Sequence, residues 1–290
     1  MRSDKSKVVH THYHSVDELL CVANADNWNV KGNRDHFVDQ VRGHGHSSSW
    51  HGIDGGFNAV MKTLTTGYKA GEQRIDTMLD TVRPHLPMAV GIGRVIVKGD
   101  RGDALDIHAV NRGDLSRAWT SRKRLLKAGK SRISIVVDIC GNRWNHADTL
   151  AWRGVAGIAL AEIMTKAGYQ SELIAGLCTG DSFANRSTRV LITTTVKPFG
   201  VSADRGMLAA TIALTGFFRT LGFTALLRAV DAENERASCG LGHAVQVDGM
   251  IPINEKVSQL IVPTSIKSEE AAVEWVKDTV KLLQAIGGRK

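Results

Sequence analysis

Cysteine is sparse and scattered. Four occur in 290 residues, Cys21, Cys140, Cys178 and Cys239, and no two form a Cys-x-x-Cys pair. That excludes a zinc ribbon and a disulfide framework, and it fits reduced thiols in a cytoplasmic protein. No apolar run approaches the ~20 residues of a membrane span, so no membrane partner is expected. The segment Met1 to His10 lacks the apolar core of a signal peptide. Gly-x-Ser-x-Gly, the Walker A loop, His-Glu-x-x-His and paired-carboxylate signatures are missing too, which points away from an enzyme. Neither an internal repeat nor a low-complexity tract is visible.

Positive charge is what the chain has in excess. Lysine and arginine number 37 against 29 acidic residues, a net charge of +8. Such a balance favours an acidic partner, nucleic acid first among them. The densest cluster is Arg117, Arg122, Lys123, Arg124, Lys127, Lys130 and Arg132. It reads as a phosphate-contacting face or as a solvated basic helix or loop leading into the next strand.

The element pattern is mixed. Residues 1–90 read as an N-terminal helical segment, with a capping box at Ser15-Val-Asp-Glu18 and a glycine- and histidine-rich interruption from Lys31 to Gly56. Residues 91–290 read as an α/β domain. It begins with a hairpin of Arg94–Lys98 and Ala104–Val110, followed by an unbroken apolar strand from Ile133 to Val137 that suits burial on both faces. An apolar helix from about Ala147 to Gly168 comes next, then strands at Ser171–Cys178 and Ser187–Val196. Further expectations are a helix at Ala203–Leu221, strands at Phe223–Val230 and Ser258–Val262, and a terminal helix capped by Ser268. This order implies a mostly parallel, Rossmann-like sheet with helices on both faces.

The strand Arg132-Ile-Ser-Ile-Val-Val-Asp138 ends in an aspartate and turns through Gly141 into a helix. Open α/β sheets bind ligands at such a carboxyl edge. The strand Ile133 to Asp138, the helix Arg153-Gly-Val-Ala-Gly-Ile-Ala-Leu-Ala-Glu-Ile-Met-Thr-Lys-Ala-Gly-Tyr169 with Ser171-Glu-Leu-Ile174, and the segment Asp204 to Phe223 together resemble a von Willebrand factor A-like domain. The resemblance is closest to an uncharacterised branch carried by tailed bacteriophages.

That family's metal-ion-dependent adhesion site holds Mg²⁺ on an Asp-x-Ser-x-Ser loop. Asp138 matches its aspartate, while Cys140 and Asn142 replace the serines, so the motif is degenerate. The resemblance implies Mg²⁺ held by Asp138, Asn142, Ser202 and Asp204. It also implies binding residues at the same edge: Cys140, Arg143, Trp144, Asp181 and Thr264. The function it implies is a non-enzymatic binding or assembly protein that engages a protein partner through that edge. The alternative is an RNA- or DNA-binding protein using Arg117, Arg122, Lys123, Arg124 and Lys127.

Other patterns read more plainly. His10, His12 and His14 form a His-x-His-x-His run, and His44, His46 and His51 lie in the glycine-rich stretch. Histidines so spaced bind transition metals or stand solvated near a terminus. Cys140 with His146 lacks an oxyanion-hole signature and reads as packing. Trp28, Trp50, Trp119 and Trp144 are loop anchors or base-stacking platforms.

Overall fold

The computed structural model describes residues 7–24, 48–85, 94–99, 102, 104–105, 107–124, 132–141, 145–180, 188–232, 243–244, 247, 250–251 and 257–287. Strand β1 (Lys7–Tyr13) is followed by helices α1 (Val16–Asn24), α2 (Gly56–Thr66) and α3 (Lys69–Val82). A small sheet holds β2 (Arg94–Gly99), β3 (Ala104–Leu105) and β4 (Trp119–Arg124). Strand β5 (Arg132–Asp138) leads into α4 (Ala147–Lys166), β6 (Gln170–Gly180) and β7 (Thr188–Lys197). Helical turns from Arg205 end in α5 (Phe223–Ala232). Then come β8 (His243–Ala244), β9 (Ser258–Val262) and α6 (Glu269–Gly287).

The main sheet runs β1-β7-β6-β5-β9, with the short β8 paired to β6. Strand β5 lies parallel to both β6 and β9, β1 lies parallel to β7, and only β7 and β8 oppose β6. This mostly parallel sheet flanked by helices is the expected Rossmann-like α/β class.

Register sorts the two faces. Ile133, Ile135 and Val137 pair with Ser171, Leu173 and Ala175 on one face, and α4 packs there. A methyl group on Gly157 would sit 2.5 Å from Val137 Cγ2. A methyl group on Gly154 would overlap the backbone of Ile212 and Ala213, so glycine lets two backbones touch. That explains an α4 that is apolar nearly all round: it lies between the sheet and the Arg205–Ala232 stretch. Val136, Ile174 and Gly176 lie on the second face, where Val247 approaches Gly176.

Local rules account for the helix ends. Glu18 N–H donates to Ser15 Oγ (3.1 Å), the first half of the expected capping box, while Glu18 Oε2 accepts from His14 N–H (2.6 Å), one residue before the cap. Gly168 has φ 87° and follows α4 as its left-handed stop, while Tyr169 N–H donates back to Met164 O at 2.9 Å.

Three expectations are corrected. The N-terminal segment opens with a strand, not a helix: Val9 and Tyr13 alternate inward at 8% and 5% exposure, and β1 pairs with β7 over seven residues. The hairpin 94–110 is replaced by the order β2-β4-β3, and Ile107–Asn111 is a short helix. The basic stretch Trp119–Arg124 is therefore the central strand of the small sheet. Finally, Phe223–Val230 is helix. A short buried apolar run carries no periodicity to tell helix from strand, and here it continues the turns from Arg205. Among the described residues no single helix is long and apolar enough to cross a membrane. Arg205–Ala213 with Thr215–Ala229 passes only as a pair bent by 60°, and both halves are largely buried.

Candidate functional site

At the carboxyl end of β5 the structure gathers Asp138, Cys140 and the Thr264 backbone around one buried arginine. Asp138 is 1% exposed. Its Oδ1 accepts from Cys140 N–H (2.8 Å) and its Oδ2 from Val247 N–H (3.0 Å). Burial pushes its carboxyl upward, opposed by those amides and by Arg153. Arg153 donates to Cys140 O (2.6 Å), Asp138 O (3.4 Å), Thr264 O (2.9 Å) and Ile266 O (3.4 Å). It thus ties the ends of β5 and β9 to α4.

Cys140 completes the junction. Its Sγ accepts from Cys178 N–H (2.7 Å) and lies 3.2 Å from Cys178 O. Burial, then the Asp138 charge, raises its thiol well above the ordinary range. A protonated, enclosed thiol is no nucleophile. His146 stands at the start of α4.

Two of the implied metal ligands, Asp138 and Asp204, do not converge. Asp204 caps the turn Arg205–Leu208, accepting from Met207 N–H at 2.9 Å. Its neighbour Arg205 is bound by Glu162 at 2.6 and 2.8 Å and by Asp76. Glu162 lies nine residues beyond Arg153, about 13 Å along α4, so Asp138 and Asp204 sit by opposite ends of that helix. Ser202 is exposed beside Asp204. Asn142, Arg143, Trp144, Asp181 and Lys127 lie outside the described residues, as do His44, His46 and Trp28. Among the described residues no set of three or more His, Cys, Asp or Glu could hold a metal ion. Mg²⁺ needs hard oxygen ligands around one centre. The described residues offer a buried carboxylate already bonded to two amides, and they do not fit it.

On the second face of the main sheet lies a trough of about 210 Å³. His10, His12 and Thr193 line one end; Ser134, Glu172, Gln259 and Phe199 line the other. Ser134 Oγ donates to Glu172 Oε2 at 3.1 Å. Burial raises the Glu172 carboxyl, offset by Ser134, Lys197 and Arg132.

Much of the charge falls on the small sheet, whose strands hold Arg94, Lys98, Arg122, Lys123 and Arg124. Between Arg94 and Arg132, eleven lysines and arginines stand against four aspartates, so seven of the eight surplus positive charges fall there. Arg94 is opposite Arg124, Ile96 opposite Arg122 and Lys98 opposite Thr120. Opposed and alternate residues share a face, which places Arg94, Lys98, Arg122 and Arg124 on one face and Lys123 on the other. On that other face Trp119 pairs with Leu105; they are 37% and 47% exposed. Arg117 closes the turn Leu115–Arg117 that leads into β4.

Sequence reasoning missed Arg153, Arg94 and Lys98. A lone arginine inside an otherwise apolar helix was the available signal for the first. For the others, the strand pairing that brings them to Arg122 and Arg124 is not visible in one strand alone.

No curated protein and no solved structure matches this chain. A family model described as "Domain of unknown function (DUF7192)" matches residues 2–287. The chain therefore belongs to the DUF7192 family.

Proposed function

We propose that this protein binds nucleic acid through its small three-stranded sheet, holding the phosphate backbone rather than reading bases. The observation that carries this reading is the segregation of charge. Nearly the whole positive surplus lies between Arg94 and Arg132, while the rest of the chain is close to neutral. Phosphate contacts position a protein without specifying sequence, and no further chemistry is required of these residues.

This alternative ranks above a protein partner engaged at the Asp138 edge, because the described part of that edge is filled by its own hydrogen bonds. The test is fluorescence anisotropy with mixed-sequence single-stranded and duplex oligonucleotides. The triple variant Arg122→Gln, Lys123→Gln, Arg124→Gln should lose at least about tenfold in affinity for every sequence alike. Binding unchanged in the triple variant would sink the reading.

A further inference from the structure

The histidine run on β1 has no part in a basic phosphate-binding sheet, yet its side chains are tied together. Thr193 Oγ1 lies 2.8 Å from His10 Nε2 and 2.8 Å from His12 Nδ1. Thr195 Oγ1 lies 3.3 Å from His12 Nε2. The His10 and His12 rings are 6.5 Å apart, and those of His12 and His14 meet edge to face at 4.8 Å. A hydroxyl has one proton, and Thr193 can donate it to either of these imidazoles only while that ring is neutral. Doubly protonated imidazoles are donors only, and they take away the acceptor for the Thr193 proton.

Strand β1 also lies at the margin of the main sheet. It is an edge strand, and β7 is its neighbour in the sheet order. We propose that β1 is an acid-labile edge strand: when His10 and His12 gain protons, it parts from β7 while the central strands hold. Release would uncover the β7 edge and the Thr193 end of the trough, presenting free peptide groups to an added strand.

The surrounding charges set the sign. Burial holds His10 and His12 below the ordinary value of 6.5, and for His12 the neighbouring His14 and His10 act in the same direction. Glu18, at the start of α1, opposes this with the smallest influence. From α5, Arg228 is felt at Tyr13, and from β7, Arg189 stands opposite Val8. Glu172 and the histidines line the same trough. Folded values below the unfolded one mean that the unfolded strand binds more protons as pH falls. The stability contributed by the neutral rings is complete above 6.5 and is lost on acidification below it.

Hydrogen exchange of the full chain, scaled for intrinsic exchange rates, at about pH 7.5 and about pH 5 tests this. Protection of Val8–Tyr13 should drop about tenfold or more on acidification while Ile133–Val137 keeps its own. The double variant His10→Gln, His12→Gln should abolish that drop. Equal behaviour of the two segments, or the same acid loss in the double variant, overturns the proposal. If the double variant does not fold, imidazole titration by NMR in the natural chain decides. His10 and His12 titrating below 6.5 supports the device, and titration at or above 6.5 overturns it.

Discussion

The salt dependence of nucleic-acid binding follows from the register of the small sheet. Arg94, Lys98, Arg122 and Arg124 share one face, so that face can neutralise four phosphates. Each neutralised phosphate releases condensed counterion and contributes about −0.9 to the slope of log K against log salt for duplex, or about −0.7 for a single strand. Four contacts therefore give a slope near about −3.6 for duplex and about −2.8 for single strand. Between about 50 and about 200 mM salt, affinity should fall about 150-fold for duplex and about 50-fold for single strand. Anisotropy titrations across that range measure the slope directly. Arg122→Gln should lower its magnitude by roughly one. A slope near zero, or one that Arg122→Gln leaves unchanged, would refute the reasoning, because the affinity would then not arise from these cations.

Other consequences concern the scaffold. Arg153→Met removes a charged donor from the buried carbonyls of Cys140, Asp138, Thr264 and Ile266. Each carbonyl left unpaired costs about 1–3 kcal/mol, so urea unfolding should show a loss of at least about 3 kcal/mol; a loss below about 1 kcal/mol would mean that the junction is not held by this side chain. Gly154→Ala should destabilise by about 1–3 kcal/mol, because its methyl meets the backbone of Ile212 and Ala213 rather than a movable side chain; thermal melts check this. Exposed Cys21 should react with a thiol reagent in the native protein. Cys140, raised well above its usual range, and Cys178, pushed up to about 12, should stay unreactive until unfolding. Rapid native labelling of either would contradict their burial.

How much of this was legible in the sequence depended on range. The unbroken strand Ile133–Val137 and the apolar helix after it were readable, because burial on all sides leaves only apolar residues and small ones at close approaches. Strand β1 was hidden: its inward positions are Val9, Thr11 and Tyr13, and the histidines between them read as a solvated terminus. Phe223–Val230 reads as a strand because a buried helix and a buried strand look alike over eight mostly apolar residues. At the site, Asp138 was correctly seen as the end of a strand. Its chemistry is not legible, since it depends on Val247, 109 residues along the chain, and on how Arg153 in the next helix turns back to it. The basic cluster was visible as charge, but its face required the pairing with Arg94 and Lys98.

The central claim, that the small sheet is the nucleic-acid interface, is tested most directly by hydrogen-exchange footprinting with a mixed-sequence oligonucleotide. Residues 94–99 and 119–124 should gain protection on addition of the oligonucleotide, while 132–138 should not change. Protection confined to other segments, or none anywhere at saturating oligonucleotide, would contradict it.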